Sequence, residues 1–249
     1  MTVSARFFRW HRWLGWIVAV QVLAWVVGGV VFAWLPFKSW VKGEAAIAPA
    51  VQTLPADWAA QVARHLAQGE TPPVVSLQSI ATASGPALRL RHEEGDTWLS
   101  AAGGDLPPTD AVSIERFART LYRAQGTLAQ VDRLAEVPAR LLIVRELGHA
   151  HDVWRVSFDD PLRTRLYFHG RSGQLLAIRN DAWVLYDLFW RLHVMDYAEG
   201  EDFNHGLIQA ASLLAFGLVL TGLVLTLLAL RRSWRTRERH RREREARPA

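Results

Sequence analysis

The 249-residue sequence contains no cysteine. That absence excludes structural disulfides, thiolate metal sites, covalently attached c-type haem and cysteine-ligated iron–sulfur clusters. A folded domain in this chain must be held by its apolar core. Charge is missing from two long stretches, Trp13 to Phe37 and Leu207 to Leu230. A helix rises about 1.5 Å per residue, so either stretch outlasts a hydrocarbon core of roughly 30 Å. Two membrane-spanning helices are expected. Also missing are a glycine-rich nucleotide loop, a catalytic triad and a metalloprotease motif. Glu146-Leu147-Gly148-His149 lacks the second spaced histidine that zinc hydrolysis requires, so hydrolysis is not expected.

What is present sets an orientation. Arg6, Arg9 and Arg12 precede the first run, and nine arginines against three glutamates follow the second between Arg231 and Arg247. Both ends are expected to stay cytoplasmic and the middle to cross to the other side. The chain is formally +5; with +3 on the first flank and +6 on the tail, the middle is left at about −4. The high pI therefore marks a topology anchor beside anionic lipid, and nucleic acid is not an expected partner. The first run is too long for a signal peptide, whose apolar part spans about 7 to 15 residues. Trp10, Trp13, Trp16, Trp34, Trp40 and Trp234 gather near the borders, where an indole buries its ring and keeps its N–H wet.

The middle reads as a helix followed by short strands, twice. A helix is expected from Ala56 to Gln68 with Trp58, Val62 and Leu66 on one face, then strands at Val74 to Ile80, Ala87 to Arg91 and Thr97 to Ser100. A second helix, Ser113 to Gln125, precedes strands at Leu141 to Arg145, Val153 to Phe158, Arg165 to Phe168 and Gln174 to Ile178. Leu88, Leu90 and Trp98 are expected in one core and Trp154, Val156, Phe158, Leu166 and Phe168 in the other. One face of each sheet would lie under its helix and the other stay wet. The expected fold class is an α+β membrane protein: N-terminus 1–12, first span 13–37, helix-plus-antiparallel-sheet units 38–110 and 111–180, an amphipathic helix and link 181–206, second span 207–230, basic tail 231–249.

The segments FRWHRWLGW (Phe8 to Trp16), FWRLHVMDY (Phe189 to Tyr197) and GLVLTGLVLTL (Gly217 to Leu227) resemble the PepSY-associated transmembrane proteins of bacterial inner membranes. WRVSFDD and RSGQLLAI are similar to the PepSY repeat. The most specific part is His-Arg-x-x-Gly opening the first span, together with Leu-His before the last. The resemblance implies a duplicated PepSY domain in the periplasm. It also implies kinship with larger iron-siderophore reductases that carry haem b between helices, and hence a redox partner or a TonB-linked siderophore uptake system. This chain departs from those proteins in having only two spans.

A b-type haem needs two axial imidazoles on one iron in a low-dielectric surround. The candidates are His11, His193 and His205. Gly15 sits one turn from His11 along the same face, leaving room for a flat ring. His11 and His205 lie at opposite borders and cannot share an iron. Two arrangements stay open. His193, ending the stripe Trp183, Tyr186, Trp190, could pair with His205 if the polar link Met195 to Asn204 returns the chain. Alternatively, His11 could meet its copy in a homodimer. Against these stand ordinary readings: His11 as an interfacial anchor, the aromatic stripe as an amphipathic helix on the bilayer, His205 as a helix start. His65, His92, His149, His151, His169 and His240 read as surface or turn residues, with His149 and His151 a weak metal pair. Asp196, Glu199, Glu201 and Asp202 form an acidic loop that would attract a cation or remain a solvated turn. Gly217, Thr221 and Gly222 suit close helix packing. The functional classes are therefore a haem-binding electron-transfer or ferric-reductase subunit, a non-enzymatic periplasmic module serving a protease, and a cofactor-free accessory of a transporter.

Overall fold

The computed structural model describes residues 3–67, 72–101 and 103–245, with side chains from 4 to 239. The expected helix end at Gln68, the His240 side chain and the last residues of the tail lie outside them. The chain is α+β, with two long apolar helices near its termini flanking a sheet-containing domain. It forms two compact units, Met1–Val31 with Phe189–Ala249, and Phe32–Leu188.

α1 (Val3–Trp34), most of which lies in the first unit, and α5 (Gly206–Glu245) each extend beyond the apolar run that marks them. α1 stops just before Pro36, which offers no N–H and disfavours helix in the residue preceding it. The next turn, Phe37–Val41, is π-helical, with the Trp40 and Val41 N–H groups both directed at the Pro36 carbonyl. Both long helices are apolar enough to cross a membrane, and only 11% and 6% of their most apolar windows are buried. A core helix of a water-soluble fold would be mostly covered; here Trp16, Val20 and Leu213 stand open. The helices pack antiparallel through small residues. A Cβ on Gly217 would touch Leu14 at 3.5 Å, and one on Gly15 would touch Leu218 at 3.8 Å.

The second unit begins with α2 (Trp58–Ala67), β1 (Ser76–Thr82), β2 (Gly85–Arg91) and β3 (Asp96–Ser100), an antiparallel sheet in the order β1-β2-β3. Leu54, Trp58 and Val62 pack on Leu88, Leu90, Leu99 and Ala101. Trp98 is not in this core, contrary to expectation. Leu88 pairs with Leu99, so Trp98 falls opposite Arg89 on the other face, its ring 5.8 Å from the guanidinium. Strand parity decides the matter, because neighbouring residues point to opposite faces. His92 sits at a turn, one of the two roles expected of it, but not at the surface. It is buried, with Nδ1 against the Pro72 carbonyl and Nε2 against the Thr97 hydroxyl.

α3 (Ala111–Leu121) opens with a capping box. The Asp110 carboxylate accepts from the Ser113 N–H at 2.7 Å and the Asp110 N–H meets the Ser113 hydroxyl at 3.1 Å. Four antiparallel strands follow: β4 (Thr127–Glu136), β5 (His151–Asp159), β6 (Arg165–His169) and β7 (Leu175–Arg179). Ile114, Phe117, Ala118 and Leu121 of α3 cover Trp154, Val156, Phe158, Leu166 and Phe168. Two expectations are corrected here. Leu141 to Arg145 is a turn closed by an Arg140–Val144 bridge, not a strand. The strand pairing with β5 is β4, whose bulge between Leu128 and Gln130 hides its alternation by turning Leu128 and Val131 to one face and Leu134 to the other.

The other face of this sheet is not wet. Residues 137–150 cover it, and Val137, Val153, Tyr167 and Ala177 form a second apolar cluster there. Within that cover Glu146 is 1% exposed. Its carboxylate accepts from Arg165 Nη2 at 2.6 Å, from Arg165 Nε at 3.0 Å, and from the Tyr167 hydroxyl. Burial, and then the neighbouring carboxylate, push the Tyr167 phenol well above its ordinary range. Arg165 also reaches Asp181 at 3.1 Å, and Arg179 donates to the Glu146 carbonyl at 2.7 Å. The network thus ties the covering segment to β6, to β7 and to the start of α4 (Asp181–Val194). Truncating one partner leaves an uncompensated buried charge, which costs about 3–5 kcal/mol. Glu146→Ala is therefore expected to destabilise the domain by that amount. Hydrogen exchange should show lost amide protection in β6 first; unchanged protection there would contradict the role given to Glu146.

Candidate functional site

His11 lies on α1 facing α5. Its Nδ1 is 3.1 Å from the Leu218 carbonyl and 3.1 Å from the Thr221 hydroxyl. Thr221 donates to the helix carbonyls of Gly217 and Leu218. A carbonyl only accepts, so this contact calls for an N–H at Nδ1 and directs Nε2 away from it. The ring rests on Gly222, where a Cβ would stand 3.1 Å from His11 Cε1. Gly15 does not open a slot for a flat ring on this face, since Leu218 occupies the space against it.

The second group of candidates surrounds the end of α4. The Asn180 side chain caps the start of that helix, accepting from the Trp183 N–H at 2.8 Å. At the other end Met195 adopts a left-handed conformation, φ 58°, and terminates it. The last carbonyls of a helix have no intrahelical donor. Here each of three finds a side chain: Gln21 donates to Leu192 at 2.8 Å, Trp25 to His193 at 2.8 Å, and His205 Nε2 meets Val194 at 3.0 Å. The link does return the chain, placing His205 against the residue that follows His193. His193 lies between two indoles, stacked at 11° to Trp190 and tilted against Trp25 at a centroid distance of 5.9 Å. Trp190 itself donates to the Gly200 carbonyl at 2.9 Å. Tyr186, farther up the stripe, packs on Phe32 and Phe37, so it faces protein rather than lipid.

His11 stands level with Thr221, fifteen positions beyond the start of α5 at Gly206, roughly 22 Å of helical rise. The structure therefore brings His193 and His205 into one neighbourhood and leaves His11 in another. Gln21 and Trp25 were not singled out in the sequence. A lone amide inside an uncharged run was the available signal, because a polar group there must find a partner. The pairing of His11 with Leu218 and Thr221 left no such trace, since it depends on the register of two helices some two hundred residues apart.

The acidic loop is wound around one carboxylate. Asp196 accepts from the backbone N–H groups of Ala198, Glu199, Gly200, Glu201 and Asp202. Asp196 is therefore a turn-former rather than a cation ligand. No cluster of three or more histidine or acidic side chains among the described residues could hold a metal ion. In the sheet domain a cavity of about 480 Å³ lies between α3 and residues 49–52, lined by Val51, Gln52, Arg116, Phe117, Thr120 and Arg123 among others. No family model, curated protein or solved structure matches the chain.

Two measurements check this geometry. Gln21→Leu leaves the part-buried Leu192 carbonyl without its donor and is expected to cost about 1–3 kcal/mol. A thermal unfolding midpoint equal to that of the parent would contradict the capping role. Burial pushes the Asp196 carboxyl up, but the backbone donors outweigh it and hold it at about 2, below its ordinary 3.8. A depressed carboxyl stabilises above its unfolded value and loses that contribution as pH falls through the folded one. Amide protection at residues 198–202 should thus persist at pH 4 and fade toward pH 2, and Asp196→Asn should abolish that dependence.

Proposed function

We propose that this chain is a PepSY-type protein of the bacterial inner membrane that binds b-type haem through its border histidines. It would serve transmembrane electron transfer or the reduction of a ferric or siderophore-bound acceptor. Two long, exposed apolar helices and the arginines beyond both support the membrane address, with cytoplasmic termini and a periplasmic sheet domain. The motifs around His11 and His193 support the family reading.

The observation that carries the haem reading is the contact of His11 Nδ1 with the Leu218 carbonyl and the Thr221 hydroxyl. Ligating histidines ordinarily donate the second ring N–H to a carbonyl or carboxylate, which orients the ring and raises its basicity. Leu218 and Thr221 do this at Nδ1 and leave Nε2 available. One protomer offers a single imidazole at this level, so the second axial ligand would be His11 of a second copy across a two-fold axis. At the other border His205 already spends Nε2 on Val194, so a His193–His205 pair would have to use the remaining His205 nitrogen. Haem supplies a one-electron couple when bound; the chain supplies the ligand, its orientation and a low-dielectric surround.

Protein purified from haem-replete membranes should show a Soret band and a reducible α band, with one haem per two chains. His11→Ala should remove the spectrum and His205→Ala should leave it. A colourless preparation would sink the haem reading. The 480 Å³ cavity, lined by Arg116 and Arg123 together with Phe117, favours a second reading. It is a cofactor-free periplasmic module that binds a protease or transporter partner. A colourless protein that co-purifies with such a partner would support it.

A further inference from the structure

The turn over the covered face of the second sheet holds an anomaly. Arg140 and Val144 exchange two backbone hydrogen bonds, of 2.8 and 2.9 Å. At the tip Leu141 and Leu142 adopt left-handed backbone angles, φ 47° and 71°. Left-handed angles bring Cβ against the carbonyl, a penalty that glycine and asparagine carry far less. Neither leucine gains burial in return. They are 57% and 95% exposed, while Val144 and Glu146 at the foot of the turn are sealed into the domain. Strain and exposed apolar surface at one point are features that proteins keep at contact sites.

Charge and position say what the tip meets. The sheet domain lies in the acidic middle of the chain, yet this corner is basic. Five arginines, Arg140, Arg145, Arg163, Arg165 and Arg179, gather there around four acids, Glu136, Glu146, Asp181 and Asp187. A relay of contacts links the corner to the segment that follows the first apolar run. Arg140 is 3.4 Å from Asp181; the preceding residue, Asn180, donates to the Trp40 carbonyl at 2.6 Å; and Trp40 lies three positions beyond Phe37. We propose that the Leu141–Leu142 tip, ringed by Arg140, Arg145 and Arg163, inserts into an anionic lipid surface and docks the sheet domain on the bilayer. Leucines then bury in the acyl boundary while guanidinium groups meet lipid phosphates. This rests on the membrane reading above and not on haem.

The absence of cysteine makes the test direct. Single-cysteine variants Leu142→Cys, Val51→Cys and Val219→Cys of the full chain are labelled with the fluorophore NBD. They are then placed in nanodiscs of phosphatidylethanolamine and phosphatidylglycerol. Val51 is an 88% exposed site elsewhere on the domain, and Val219 an exposed site within the second span. At position 142 the emission should be blue-shifted and iodide quenching several-fold weaker than at 51. Nitroxide-labelled lipid should quench it, and all three effects should shrink in discs of phosphatidylcholine alone. Equal iodide quenching at 142 and 51, with position 219 shielded, overturns the docking proposal and leaves the spans in place. Iodide access at 219 as well would overturn the membrane reading itself.

Discussion

The last carbonyls of a helix have no donor within it, and the surroundings of His193 and His205 follow from how α4 meets that constraint. Three successive carbonyls, of Leu192, His193 and Val194, are capped from outside by Gln21, Trp25 and His205. The first two donors fix α4 against α1. The third fixes the start of α5, because His205 can reach Val194 only if residues 195–204 fold back. The Asp196 carboxylate drives that reversal by gathering five backbone N–H groups. One requirement, satisfaction of buried acceptors, thus positions the aromatic cradle around His193 and occupies one nitrogen of His205.

The same requirement organises the sheet domain through charge. Glu146 is sealed under a covering segment and is tolerable there only because Arg165 and Tyr167 fill its oxygens. Arg165 reaches on to Asp181 at the start of α4. The network fixes where the covering segment lies and what its turn presents outward, which is how two strained leucines come to stand in the open.

Much of the chain was legible in its sequence. The apolar runs, α4 from Asp181 to Val194, and the strands β5 to β7 follow from periodicity that packing left intact. Reading failed where tertiary contact altered the pattern. β4 went unseen because its bulge shifts the alternation; Leu141 to Arg145 looked like a strand because its apolar residues divide between an exposed tip, Leu141 and Leu142, and a buried foot, Val144; and Trp98 yielded its place to Leu99 through register alone. The candidate histidines were all visible as residues. Their hydrogen-bond partners were not.

By itself the sequence determined that no thiol chemistry is available, that two helices are long and apolar enough to span a bilayer, and that imidazoles stand at the ends of those runs. These are matters of composition and local spacing. Only the tertiary structure decided that Leu218 and Thr221 meet His11 Nδ1 and that His205 caps α4. It also decided that Gly15 faces a leucine rather than an open slot. Each depends on the register between segments distant in the chain, and register is set by the sum of packing across an interface, which no single stretch of residues contains.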